Sequence, residues 1–121
     1  AFDGGGRVLL DGPAVTLRPE TAQSFVMVVH ELATNAARHG ALSRKEGRVG
    51  IAWTVSSDAE VRLVWHEHDG PAVTPPERHG FGLKLVESAV RGQLGGTITL
   101  AWETGGLRCT LDLPIIAGFS G

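Results

Sequence analysis

Cysteine is nearly missing from this sequence: Cys109 is the single one in 121 residues. One thiol cannot build an internal disulfide framework, and such a composition suits a reducing compartment. Long apolar runs are missing too. The longest, Phe25-Val26-Met27-Val28-Val29, falls far short of the ~20 residues needed to cross a bilayer. No basic-then-apolar secretion signal opens the chain. A cytoplasmic location without direct membrane contact is expected, any anchor of a parent protein lying outside these residues. Charge of one sign is not in excess either. Lys and Arg total 11, Asp and Glu 13, and the net charge is −2. No broad electropositive surface follows from that balance, so nucleic acid is not an expected partner.

What is present is globular in kind: 42% hydrophobic and 20% charged residues, in a length that makes one domain spanning 1–121. Glycine is the outlier. Its 17 residues are about twice the usual ~7% share, and they cluster at 4–6, 80–82, 92–96 and 105–106. Without a fixed period they exclude collagen and solenoid architectures. They point to tight turns and close backbone approaches.

Val8-Leu9-Leu10 and Ala14–Leu17 flank an Asp11-Gly12-Pro13 turn and read as an opening β-hairpin. Pro19 sits where a helix begins. Phe25, Val28, Val29, Leu32 and Ala36 then form one apolar stripe at helical spacing, and Gly40 ends it. Strands are expected over Arg48–Val55 and Val61–Trp65, joined through Ser56-Ser57-Asp58. The stretch holding Pro71, Pro75 and Pro76 excludes regular structure. Gly80-Phe81-Gly82 opens a second helix with Leu83, Leu85, Val86, Ala89 and Val90 as its apolar side. Thr97–Trp102 and Leu107–Leu113 make a closing hairpin across Gly105-Gly106, stopped by Pro114. The order β-β-α-β-β-loop-α-β-β predicts an α+β fold: a two-layer sandwich with helices on one face of a mixed, mainly antiparallel sheet.

Three clusters carry candidate chemistry. At ~100° per residue, Glu31, Asn35, Arg38 and His39 share one flank of the first helix, bordering its apolar stripe. An amide oxygen can join a Mg²⁺ shell and a guanidinium can neutralise phosphate. A solvated polar helix face is the plain alternative. In Trp65-His66-Glu67-His68-Asp69-Gly70-Pro71, an acidic residue just past a strand end can accept a hydrogen bond from an exocyclic amine. Alternatively His66 and His68 are paired metal ligands, or Asp69-Gly70-Pro71 is only a turn. His79-Gly80-Phe81-Gly82-Leu83 is a glycine loop feeding a helix, whose free N–H groups and dipole attract anions. A packing glycine at a helix start is the alternative. The preceding Ala72–Arg78 has the composition of a mobile lid.

In order and spacing these segments resemble the Bergerat-type ATPase domain shared by gyrase, the Hsp90 chaperones, histidine kinases and MutL. They look most like the HWE subgroup of sensor histidine kinases. That subgroup is marked by a histidine and glutamate in the N box, here His30-Glu31, and by Trp-x-Glu, here Trp65-His66-Glu67. The run His30–Ala37 with Gly40-Ala41-Leu42-Ser43, the Gly80-Phe81-Gly82 turn, Gln93-Leu94-Gly95-Gly96 and the ending Gly106-Leu107-Arg108 through Pro114 carry the match. The resemblance covers about Val8 to Pro114.

The resemblance implies roles. Asn35 would hold Mg²⁺ against the ATP phosphates. Glu31 would orient or deprotonate the acceptor histidine, or contact metal-bound water. Arg38 stands where relatives carry a phosphate-binding lysine, and His39 would line the phosphate site. Glu67 aligns with the adenine-binding aspartate, with Asp69 as the alternative if the motif is shifted. Gly80 and Gly82 would form the phosphate-facing turn, with Gly70, Phe81 and Leu83 completing the ATP site. His30 lies ~100° around the helix from Glu31, which suits packing or domain contact better than ATP. The implied activity is transfer of the ATP γ-phosphoryl group to a histidine on a separate helical dimerisation domain of the same protein. The phosphate would pass next to a response regulator, and the parent would be a homodimer. Alternatives are a degenerate nucleotide-binding or docking module, or an anti-sigma-factor-type serine kinase on the same fold.

Overall fold

The computed structural model describes residues 2–3, 7–56, 60–71, 81–114 and 119–120. Helix α1 runs over Pro19–His39, with proline in its first turn, Glu20 there as well, and Arg38 and His39 in its last. Each of these placements suits the helix dipole or the unpaired terminal N–H groups. The Gly40 N–H closes the helix on the Ala36 carbonyl at 3.0 Å. Val28, Leu32 and Ala36, four residues apart, form its fully buried line, as the apolar spacing requires. A 3₁₀ turn over Ala41–Ser43 follows.

The sheet has six strands: β1 (Phe2–Asp3), β2 (Val8–Asp11), β4 (Arg48–Val55), β5 (Glu60–His68), β6 (Thr97–Glu103) and β7 (Gly106–Pro114). Their order across it is β1-β2-β4-β5-β7-β6. Every neighbouring pair is antiparallel except β2 with β4. Two short strands, β3 (Thr16–Leu17) and β8 (Phe119–Ser120), pair with each other in a separate sheet. Helix α2 covers Phe81–Ser88 and continues into a π turn over Ala89–Gln93, where the Leu94 N–H reaches back to the Ala89 carbonyl at 2.9 Å.

The helices pack together on one face, with the Ser24 hydroxyl of α1 donating to Gln93 Oε1 at 3.0 Å. Between them and the sheet lie Leu32, Trp65, Leu83, Leu111 and Leu113, each fully buried. The opposite sheet face is polar, and there the Arg62 guanidinium grips Asp112 through Nε at 2.7 Å and Nη2 at 3.3 Å. The expected α+β two-layer arrangement is the one observed. Among the described residues no helix is long and apolar enough to cross a membrane.

Two local expectations are corrected. The opening hairpin does not form. Both edges of β2 are taken, by β1 and by β4, while residues 16–17 pair with β8. The intervening loop is tied instead to the sheet, where Trp53 Nε1–H donates to the Pro13 carbonyl at 2.7 Å. The second correction is that β5 continues past Trp65 to His68, because both neighbours offer ladder partners there: Arg48 opposite His68 and Arg108 opposite His66. Glu67 is thus inside the strand rather than beyond its end.

Candidate functional site

Alternation along β5 decides where its side chains go. Val61, Leu63, Trp65 and Glu67 all turn toward the helices and are buried; the residues between them face outward. Glu67 is therefore a carboxylate inside the molecule, 3% exposed, and burial of such a group is tolerated only when its oxygens are hydrogen-bonded. They are. Oε1 accepts from the Ala41 N–H at 2.9 Å and Oε2 from the Trp65 indole N–H at 3.0 Å. The Trp-x-Glu spacing thus has a physical reading: two same-face strand positions, one a rigid donor, the other an acceptor. The Ala41 N–H belongs to the first residue past Gly40, so the carboxylate sits at the C-terminal end of α1.

Glycine makes room for it at Gly40, where a Cβ would run into the Glu67 carboxylate, and at Gly106. Gly106 has φ +137, and a Cβ there would fall 2.7 Å from the Glu67 Cβ. Gly70 donates its N–H to the Gly105 carbonyl at 2.9 Å. Its Cα lies so near the start of the 3₁₀ turn that a Cβ would meet Ala41 Cα at 2.6 Å. Asp69, the alternative adenine contact, has φ 60 and turns the other way. Its carboxylate pairs with Arg48 at 2.8 Å on the exposed side.

The α1 flank has a graded burial. Glu31 and Asn35 are half-buried, Arg38 and His39 exposed; His30 is exposed as well. Two oxygen-bearing side chains one turn apart therefore stand at the rim of the core, with a guanidinium and an imidazole further out. Leu83 is 0% exposed and belongs to the core. Phe81 and Gly82 begin α2. Gly80 and the lid-like segment Ala72–Arg78 lie outside the described residues.

His66 and His68 face outward with ring centroids 4.1 Å apart, and His66 Nε2 meets Glu103 Oε1 at 2.9 Å. Partial burial, then His66 and Arg48 nearby, hold the His68 imidazole below its ordinary value. Among the described residues no group of three or more His, Cys, Asp or Glu side chains could hold a metal ion. A cavity of about 650 Å³ lies between the N-terminal half of α1 and Leu10–Leu17, lined by residues such as Phe25, Val29, Trp53 and Leu63. Its described lining carries no charge, which makes it unfit for phosphate.

Sequence reasoning missed Arg7. Its Nε donates to the Gly47 carbonyl at 3.1 Å, and its Nη2 to the carbonyls of Leu42, at 3.4 Å, and Arg44. Nothing local signals this, since the partners lie some forty residues on.

Cys109 sits on β7 opposite Trp65 and is fully buried. Burial, reinforced by the negative charges of Glu67 and Glu87, pushes its thiol up to about 12. The thiolate is the reactive form, so alkylation of the folded chain at pH 8 is expected to be slower than in denaturant by on the order of 1000-fold. Equal rates would place the thiol at the surface. Folding favours the neutral thiol, so this contribution to stability is intact below the ordinary value of 9.0 and is lost as pH rises from there toward about 12.

The profile of the histidine kinase-, DNA gyrase B- and HSP90-like ATPases matches residues 20–116. The blue-light-activated histidine kinase 1 of Erythrobacter litoralis is 37% identical over 112 residues, 90% of this chain and 31% of the relative. The blue-light-activated histidine kinase of Rhizobium johnstonii is 36% identical over 111 residues, 89% of this chain and 32% of the relative. The chain thus spans about a third of the length of these relatives. The solved blue-light-activated histidine kinase EL346 of Erythrobacter litoralis superposes with a TM-score of 0.75 at 26% identity, covering 89% of this chain and 35% of that one. Its histidine kinase domain gives 0.74 at 25%, covering 92% and 53%. The chain belongs to the family of histidine kinase-, DNA gyrase B- and HSP90-like ATPases.

Proposed function

We propose that this chain is the catalytic ATP-binding domain of an HWE-type sensor histidine kinase, one domain over 1–121. It would transfer the γ-phosphoryl group to a histidine on a separate helical domain of the same, homodimeric and cytoplasmic protein. A response regulator would receive the phosphate next. The observation that carries the reading is the Glu67 carboxylate, buried and held by two N–H donors at the end of α1. A carboxylate oxygen with one donor on it keeps a further lone pair, so the group offers acceptors. That matches the exocyclic amine of adenine and repels the oxo group of guanine. Asp69 is spoken for by Arg48.

The half-buried Asn35 amide oxygen is a hard oxygen donor of the kind Mg²⁺ takes, and the Glu31 carboxylate one turn before it would contact metal-bound water. Bound there with ATP, Mg²⁺ would neutralise charge building on the phosphates. Arg38, exposed beyond them, offers a guanidinium for the outer phosphate oxygens. Glu31 would hold or accept the proton of an incoming imidazole. His39 at the rim and the N–H groups of Phe81 and Gly82, which open α2, would complete the phosphate cradle. Catalysis is then mostly positioning and charge neutralisation.

Calorimetry with Mg²⁺ and a non-hydrolysable ATP analogue tests the site. Asn35→Ala should weaken binding by about 1–3 kcal/mol, the scale of one charge-assisted contact. An unchanged affinity removes Asn35 from the phosphate end. Phosphorylation of a supplied helical acceptor domain tests the reaction. An acid-labile phosphohistidine is expected. Acid-stable phosphoserine would mark a serine kinase on this fold, and no product with intact ATP binding would mark a docking module.

A further inference from the structure

We infer that Arg7 is a positioning residue for purine selection: it fixes the segment after α1 whose first N–H sets the Glu67 carboxylate. This rests on the reading of Glu67 as the adenine contact.

The linkage runs through named atoms. Arg7 is anchored on the sheet, its carbonyl accepting from the Val49 N–H at 2.8 Å. Its guanidinium then gathers the carbonyls of Leu42, Arg44 and Gly47. These follow a helix end, where carbonyls lack helical partners. A planar fork of N–H groups can serve several at once; an ammonium on a flexible stem cannot match that geometry. Residues 43–46 are exposed between the buried Ala41 and Gly47, where Ser43 turns its N–H and hydroxyl back to the Gly40 carbonyl at 3.0 and 2.6 Å. The segment's first residue, Ala41, donates to Glu67 Oε1.

Glu67 therefore has two supports, and both are buried: the donor Ala41 is 0% exposed. Trp65 is part of the core, 2% exposed, and grips Oε2 from the same strand. Ala41 grips Oε1 from a segment that Arg7 holds down. Release of Arg7 would loosen the carbonyls that follow Ala41, and a small shift passed back to its N–H would let the carboxylate turn about the remaining bond. An acceptor-only group that is no longer aimed loses its advantage for an amino-bearing over an oxo-bearing purine, because discrimination by hydrogen bonding depends on a fixed partner. Phosphate contacts, common to both nucleotides, are untouched.

The test is equilibrium binding of Mg-ATP and Mg-GTP to the whole chain, in wild type, Arg7→Ala, Arg7→Lys, Glu67→Gln and Val61→Ala. Val61, at the far end of β5 and buried, serves as a control for lost stability. Arg7→Ala should weaken ATP by on the order of 10-fold, the effect of one misplaced hydrogen bond, with GTP nearly unchanged. Arg7→Lys should fall between the two, and Val61→Ala should keep the wild-type preference. If Arg7→Ala keeps the preference while Glu67→Gln abolishes it, the positioning role is overturned and the adenine contact stands. If Glu67→Gln keeps it, both fall. Should Arg7→Ala fail to fold, Arg7→Lys is read in its place: an undiminished preference there overturns the inference.

Discussion

Glu67→Gln is expected to cost about 1–3 kcal/mol of folding stability, even though the two side chains are nearly the same shape. The reason is donor counting. Two N–H groups, from Ala41 and Trp65, point at two different carboxylate oxygens. A glutamine amide has one oxygen and one NH₂, so whichever way it is turned one buried donor faces another donor. No water of solvation is at hand for a side chain 3% exposed. The same substitution puts a donor where the amine of adenine should arrive, so ATP should lose its preference over GTP. Urea unfolding followed by tryptophan fluorescence reads the first effect, and nucleotide binding the second. A glutamine variant as stable as wild type would mean that the two hydrogen bonds are not those of the folded protein in solution.

The other large effect is expected at Gly106, which begins β7 beside the same carboxylate. Its φ of +137 lies in a region closed to residues with a Cβ, and the new methyl would meet the Glu67 Cβ at 2.7 Å. That neighbour is the root of a buried side chain and cannot swing away. Backbone strain of about 1–3 kcal/mol is expected in Gly106→Ala, and overpacking adds a further ~1–3 kcal/mol. Alanine elsewhere on exposed turns costs far less. The measurement is the shift of the urea midpoint at unchanged slope. A shift under a few tenths of a molar would show that the strand start adjusts freely and that Gly106 is not what admits Glu67.

Much of this was readable in the sequence because it is local. The stripe Val28, Leu32, Ala36 has helical spacing and is the line α1 buries. Thr97–Trp102 and Leu107–Leu113 are adjacent in sequence and do pair, though the turn falls one residue earlier, at Thr104-Gly105, with Gly106 already paired to Glu103. The end of β5 was less legible, since His66-Glu67-His68 is polar and looks like a strand's exit. Hydrogen-bond ladders with both neighbours override that polarity. A period of two carried through the motif would have put Trp65 and Glu67 on one face and found their bond. The partner of β2 and the reach of Arg7 left no such trace. Both join residues about forty apart, and long-range contacts are encoded by the packed whole rather than by any window of the chain.

The parallel pairing of β2 with β4 has a kinetic side. β4 and β5 are joined by a short connection and find each other cheaply. β2 must wait until α1 has been laid across the sheet, and closing that loop gains nothing until the ladder zips. β2 is thus expected to be a late arrival in assembly. The Arg7 clasp it carries should be among the last details of the nucleotide end to set, and among the first to slip when the molecule begins to open.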